Sequence, residues 1–147
     1  LKTILAVASG GGHWIQLLRL RPAFAGFNVK YVTTKKEYAK DIDAPPYTVT
    51  DASMWEKLKL IRMFLEMAVV VIKVRPDIVI TTGAAPGFAA IFFGKLLGSR
   101  TVWLDSIANS ETLSNSGNQA RRWADVWLTQ WPDLTTNEGP EYWGAVL

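Results

Sequence analysis

Two glycine-rich loops, one histidine and one aspartate carry the chemistry legible in this sequence. Ser9-Gly10-Gly11-Gly12 and Thr82-Gly83-Ala84-Ala85-Pro86-Gly87 each stand between an apolar run and a helical pattern. Glycines placed there let the backbone approach a phosphate closely, and the unpaired amides of the first helical turn then donate hydrogen bonds to it. One such loop is explained equally well by a tight turn; two in neighbouring positions point to an anionic ligand. His13, the only histidine, follows the first loop and is expected to project into the crevice above the strands. An imidazole there can take a hydroxyl proton at neutral pH, which makes His13 the candidate base. The alternative is that it caps the helix or meets phosphate as a cation. Asp105 ends an apolar strand and either orients a nucleophile or sugar hydroxyl or caps a turn. Ser106, Asn109 and Ser110 beside it are hydrogen-bonding residues in either case.

Other nucleotide and metal chemistries fit less well. A dinucleotide fingerprint requires a third glycine at position 15 and an acid near 34, where Ile15 and Thr33-Thr34-Lys35-Lys36 stand. NAD is disfavoured, while the two lysines leave an NADP-binding domain as a weak alternative. No Gly-Lys pair is followed by Ser or Thr, so there is no P-loop. With no cysteine and a single histidine, disulfides, thiolate or His-rich metal sites and a cysteine nucleophile are excluded. The default is a cytoplasmic protein with no metal and no tightly bound cofactor.

Elements that alternate along the chain must position these residues. Apolar, β-forming runs at 2–8, 28–34, 77–82, 100–105 and 126–130, with a weaker one at 47–50, are separated by helical patterns at about 15–21, 53–74 and 84–97 and a short one after Gly117. Strands apolar throughout and alternating with helices imply an α/β fold, a Rossmann-like doubly wound parallel sheet covered on both faces. Ligands in such sheets sit beyond the carboxyl ends of the strands, near the point where strand order reverses. With the order 3-2-1-4-5, residues 9–13, 83–87 and 105–110 converge on one crevice. The 147 residues, 49% of them hydrophobic, make one domain, with 131–147 as a tail too short to be a second.

Charge and aromatic content bear on partners. Residues 1–100 carry 14 Lys/Arg against 7 Asp/Glu, whereas 101–147 carry 2 against 6. The basic part favours an anionic partner, but its cations are scattered in runs of no more than two, which argues against nucleic acid. No apolar stretch approaches the ~20 residues of a membrane span. The helix at 54–72 places Leu58, Ile61, Leu65, Ala68 and Ile72 at helical spacing, with Glu56, Lys59, Arg62, Glu66 and Lys73 on another side. It is either a deeply packed core helix or one partly buried in a bilayer surface, where Trp55 and Phe64 suit the interface. Phe88 and Phe92 lie beside the second phosphate loop, where a lipid tail attached to a phosphate would leave; core packing is the alternative. Trp123, Trp127, Trp131, Tyr142 and Trp143 crowd the last quarter, and the apolar end through Val146 and Leu147 either folds back or docks on a second protein.

Three stretches together resemble one family. They are residues 9–17, Ser-Gly-Gly-Gly-His-Trp-Ile-Gln-Leu; the second glycine loop; and the run from Trp103-Leu104-Asp105-Ser106 through Asp125-Val126-Trp127-Leu128-Thr129-Gln130-Trp131-Pro132. They are similar to the acceptor-binding, membrane-associated subunit of split GT-B glycosyltransferases. Its bacterial branch is the PssD and EpsE type of exopolysaccharide assembly, and its eukaryotic branch helps add the second N-acetylglucosamine to dolichol diphosphate. The glycine loops are more distantly similar to those of MurG, whose amino-terminal domain holds a lipid diphosphate. The resemblance covers nearly the whole chain. It departs in having three glycines before His13, where many relatives have two, and no counterpart of the eukaryotic transmembrane anchor is visible within these residues.

The resemblance implies a half-enzyme, equivalent to the N-terminal half of a GT-B glycosyltransferase and inactive alone. Its partner would be a donor subunit binding a UDP-sugar, and its acceptor a polyprenyl diphosphate carrying a sugar. Ser9 to Gly12 and Thr82 to Gly87 would hold the diphosphate, with the amides of Gly11, Gly12, Ala84 and Ala85 as donors. His13 or Asp105 would be the base in an inverting displacement, and Ser106 and Asn109 would contact the acceptor sugar. Trp55, Phe64, Phe88 and Phe92 would meet lipid, and Trp131, Tyr142, Trp143, Val146 and Leu147 the partner. Attachment would be peripheral, at the cytoplasmic face of the membrane.

Overall fold

The structure, a computed structural model, describes residues 1–53 and 55–146. The chain runs β1 (Thr3–Val7), α1 (Gly12–Arg19), β2 (Asn28–Thr33), β3 (Tyr47–Thr48), α2 (Lys57–Val74), β4 (Ile78–Thr81), α3 (Ala84–Leu96), β5 (Arg100–Leu104), α4 (Asn115–Ala120), β6 (Val126–Thr129) and β7 (Glu141–Tyr142). Single 3-10 segments follow α1, β2 and β6. The seven strands form one sheet in the order β3-β2-β1-β4-β5-β6-β7, and every pairing is parallel. Strand order therefore reverses between β1 and β4, where Val7 is in register with Thr81.

Side-chain alternation along the central strands builds a core on each face of the sheet. Leu5, Val7, Val32, Val79 and Trp103 pack with Met63, Met67 and Val71 of α2 and Ala89, Ala90 and Ile91 of α3. Ile4, Ala6 and Ala8 turn the other way, onto Trp14 and Leu17 of α1 and Phe24. α3 crosses β4 so closely that a Cβ at Gly87 would lie 2.2 Å from Thr81 Oγ1, and one at Gly94 would lie 2.6 Å from Val79 Cγ2. Those two glycines set the depth of α3 and hence the height of its N-terminus above the sheet.

In α2 and in the tail, the structure corrects or decides between the sequence expectations. α2 begins at Lys57 rather than 53, because Ser53 and Glu56 close a turn, with the Ser53 N–H and hydroxyl both on Glu56 Oε1. The face of α2 that packs on the sheet is Met63, Met67, Val70 and Val71, while Leu58, Ile61, Leu65, Val69 and Ile72 remain 56–85% exposed. Of the two readings of the helical spacing, deep core packing thus fails for Leu58, Ile61, Leu65 and Ile72, which point outward. The tail adds β7, in parallel register with Leu128 and Thr129, so it folds back on its own domain. Leu147, assigned to the partner surface, lies outside the described residues.

Candidate functional site

The three loops meet at the carboxyl ends of β1, β4 and β5, joined by side chains that span the crevice. His13 Nδ1 is 2.9 Å from the Thr82 carbonyl, and the Thr82 hydroxyl donates to the His13 carbonyl at 2.6 Å. A carbonyl can only accept, so Nδ1 carries a proton, and in the neutral ring Nε2 then holds the lone pair. The ring lies against Gly83, where a Cβ would come within 2.9 Å of it, and Gly83 adopts φ 127°. Glycine is required there on both counts. Thr81 fixes the same loop from below: its hydroxyl donates to Val7 O at 2.7 Å and accepts the Gly83 N–H at 3.1 Å.

Both helices that open from the glycine loops start without a side-chain cap, so the amides of their first turns are orphan donors aimed at the crevice. Gly12 has open space around it. Gly11 differs from the sequence expectation, since its N–H already donates to Tyr38 Oη at 2.8 Å. Tyr38 is held there by stacking on Trp14, with ring centroids 4.9 Å apart, and Trp14 Nε1 donates to Asp41 at 3.0 Å. Ala84 sits at φ 69°, a left-handed conformation costly for a residue with a Cβ, stored at the mouth of the second loop. Pro86, at the third helical position, has no N–H to offer.

Asp105 is 1% exposed, and its two carboxylate oxygens take four donors. Oδ1 accepts from Ser114 Oγ at 2.6 Å and Trp103 Nε1 at 3.1 Å; Oδ2 accepts from Ser114 N at 3.0 Å and Asn109 Nδ2 at 3.4 Å. A carboxylate has roughly four lone-pair sites, and these contacts fill them. The geometry therefore gives Asp105 the turn-holding role and leaves no oxygen free to take a substrate proton. Ser114 is also the N-cap of α4, accepting the Gly117 N–H at 2.9 Å.

A pair of glutamines missed in the sequence ties the third loop to the first. Gln16 on α1 donates to Ser106 Oγ at 3.1 Å and accepts the Ile107 N–H at 3.2 Å. Gln130, buried at the end of β6, donates to Gln16 Oε1 at 2.6 Å and to the Asp105 carbonyl at 3.0 Å. Its own Oε1 accepts the Val146 N–H at 2.7 Å, which pins the tail beside the site. Ser106 is thus buried within this network, and Asn109 is turned onto Asp105. Separations of 90 and 114 residues between Gln16 and its partners Ser106 and Gln130 gave no local signal.

The lipid and partner residues divide by environment. Trp55 is 90% exposed. Phe64, Phe88 and Phe92 are half-buried in an aromatic cluster between α2 and α3, with Phe64 6.1 Å from Phe88 and Phe92 4.7 Å from Trp123, ring centre to ring centre. Leu60, Phe64, Ala85 and Phe88 border an apolar hollow of about 90 Å³ that opens beside the second glycine loop. Trp131 belongs to the site loops instead of an open surface, its Nε1 donating to Ile107 O at 2.7 Å. Tyr142 and Trp143 are exposed, the latter 67%. Among the described residues no helix is long and apolar enough to cross a membrane, and no group of three His, Cys, Asp or Glu side chains is placed to hold a metal.

Comparison with known proteins agrees with this architecture. The fold matches MurG of Acinetobacter baumannii with a TM-score of 0.78 at 16% identity, over 96% of this chain and 47% of that one. It matches a UDP-N-acetylglucosamine 2-epimerase from Rickettsia bellii with a TM-score of 0.70 at 14% identity, over 90% of this chain and 40% of that one. In sequence, 78 residues are 31% identical to the UDP-N-acetylglucosamine transferase subunit ALG14 of Eremothecium gossypii, a match spanning 49% of this chain and about a third (35%) of that protein. The family model described as "Oligosaccharide biosynthesis protein Alg14 like" matches residues 46–146, and the chain, with its Rossmann-like GT-B fold, belongs to that family.

Proposed function

We propose that this chain is the acceptor-binding half of a two-chain glycosyltransferase, which passes a sugar from a UDP-sugar held by a separate donor subunit to a saccharide linked to a polyprenyl diphosphate. The observation that carries this is the reciprocal pair between His13 and Thr82. It locks the two glycine loops together and leaves Nε2 as an acceptor at the point where both uncapped helices converge. The orphan amides of Gly12, Ala84 and Ala85 bind the acceptor diphosphate, and the Gly11 amide joins them when the Tyr38 hydroxyl yields it.

His13 Nε2 takes the proton of the acceptor hydroxyl as its oxygen attacks the anomeric carbon. The bond from that carbon to the UDP oxygen breaks, the configuration inverts, and UDP leaves with its charge balanced from the partner's side. Asp105 holds the loop through Ser114, and Ser106 and Asn109 shape it beside the acceptor sugar. The lipid leaves through the hollow beside Ala85, between Phe64 and Phe88. The outward stripe of α2, with Trp55 before it, rests on the cytoplasmic face of the membrane. Tyr142, Trp143 and the tail pinned by Gln130 receive the donor subunit.

The test is transfer of labelled sugar from a panel of UDP-sugars to a glycosylated polyprenyl diphosphate. UDP-N-acetylglucosamine comes first in the panel, since it names the activity of the Eremothecium relative's complex. Transfer is expected only when this chain and its donor subunit are mixed. His13→Ala should lower turnover about 100- to 10,000-fold while leaving vesicle binding intact. Equal losses in both would remove His13 as the base, and unchanged turnover in the assembled complex would make this chain a scaffold that recruits the donor subunit.

A further inference from the structure

The diphosphate proposed above would be bound by backbone amides alone, because neither glycine loop contains a cation. A pyrophosphate ester carries at least two negative charges, and a crevice that holds one normally supplies a positive side chain as well. The corner that follows β2 presents one. A Cβ built at Gly10 would lie 3.2 Å from Lys35 Cε and 3.3 Å from Tyr38 Oη, so the lysine stem and the phenol both rest directly on the first glycine loop. The ammonium is one bond beyond that Cε. Lys35 also has an extended backbone at the N-cap of the following 3-10 segment and forms no ion pair among the described residues.

Around it lies a shallow, open hollow of about 560 Å³, bordered by Thr34, Lys35, Lys36, Glu37 and Tyr38. Its charge is net positive despite Glu37. The hydroxyls of Thr33 and Thr34, at the end of β2, are buried without a hydrogen-bond partner. The donors that face the hollow are therefore those of Lys35, Lys36 and Tyr38, next to the first glycine loop.

We infer that Lys35 is a ligand of the acceptor diphosphate, reaching over Gly10 to supply the positive charge that the two glycine loops lack. This rests on the proposed diphosphate site and extends it to β2. Tyr38 keeps the Gly11 amide satisfied while the site is empty and yields it to a phosphate oxygen. Lys35 then selects a diphosphate over a monophosphate, since it contacts a second phosphate that a monophosphate lacks.

Calorimetric titration of the whole chain with geranyl diphosphate, geranyl monophosphate and inorganic pyrophosphate tests this. Lys35→Ala is expected to weaken geranyl diphosphate and pyrophosphate at least tenfold, to affect the monophosphate much less, and to leave the thermal midpoint unchanged. Lys35→Arg should stay within threefold of the unmodified chain. Lys40→Ala, which removes an equally exposed charge from the same segment away from the hollow, should stay within twofold. Gly12→Asp, which puts a carboxylate into open space at the start of α1, should abolish binding of all three. Loss in Gly12→Asp with no change in Lys35→Ala overturns the role of Lys35 and leaves the glycine-loop site standing. No binding by the unmodified chain, or full binding by Gly12→Asp, overturns the diphosphate site itself and this inference with it.

Discussion

His13, in the first turn of α1, and Asp105, just past β5, are both polar residues at the crevice, yet their surroundings assign them different work. The imidazole is half-buried, with one nitrogen committed to Thr82 and the other free. The carboxylate is buried with every acceptor direction used, by Trp103, Asn109 and both the amide and hydroxyl of Ser114. Asp105→Asn turns one acceptor into a donor facing a donor, so it should destabilise the fold by about 2–3 kcal/mol, a fall of several degrees in thermal midpoint. Activity should fall in proportion to folded protein and keep its pH profile. A midpoint like that of the unmodified chain, coupled with a lost or displaced pH limb, would return Asp105 to the chemistry. The glycine loops and His13 were legible in the sequence because a strand, glycines and a helix start are contiguous signals. Gln16, Gln130 and Tyr38 were not, because each acts on a loop far from it in the chain and carries no periodicity of its own; Lys35 was legible as a cation, but not as one resting on Gly10.

Elements were legible in proportion to the apolar surface they bury. β1, β4 and β5, covered on both faces, read as continuous apolar runs and lie within a residue or two of where the sequence placed them. β3 and β7, two residues each at the sheet edges, are set by pairing with a neighbour; β3 left the weak signal at 47–50 and β7 none. α2 is apolar on more than one side, so its period identified a helix but not the side that packs. α3 is anchored differently at its two ends, by Thr81 under its start and by Lys95 near its finish. Lys95 pairs with Asp125, whose other oxygen accepts the Thr101 N–H at 2.9 Å, so this one carboxylate joins α3 to β5 and to the entrance of β6. Burial alone would raise the Asp125 carboxyl, but the hydrogen bonds from Lys95 and Thr101 outweigh it and hold it below the ordinary carboxylate range. A carboxyl lowered on folding binds fewer protons in the native state. Its stabilisation is therefore full above the unfolded value of about 3.9 and is lost as pH falls through the lower folded value. Asp125→Asn should cost about 1 kcal/mol at pH 7, and the gap from the unmodified chain should close as denaturation midpoints are followed from pH 5 to pH 2. A gap constant over that range would mean that packing, not charge, accounts for the contact.

At the scale of the whole molecule, the outward face of α2 is the surface that the proposed function lays against the membrane. Leu58, Ile61, Leu65, Val69 and Ile72 recur every three or four residues as one exposed stripe, preceded by the exposed Trp55. Exposed lysines and arginines at 57, 59, 62, 73 and 75 flank it, with Lys59 and Arg62 also meeting Glu56 and Glu66. Burying a Leu, Ile or Val side chain contributes about 1.5–3 kcal/mol, so half-burying five gives on the order of 5 kcal/mol, enough for reversible attachment to a bilayer surface. The same helix borders the apolar hollow beside Ala85, so a membrane laid against the stripe would bring a lipid-linked diphosphate to the second glycine loop with its chain already directed along Phe64 and Phe88. The double substitution Leu65→Asp and Val69→Asp touches only exposed positions. It should lower the thermal midpoint by no more than a few degrees, since exposed substitutions cost roughly 0.5 kcal/mol each, and reduce flotation with anionic vesicles at least tenfold. In the assembled enzyme it should sharply lower transfer to a vesicle-embedded acceptor and spare transfer to a short-chain acceptor free in solution. Equal loss on both acceptors would mean that the stripe contacts the donor subunit instead of lipid, and the membrane would have to lie against another face of the sheet.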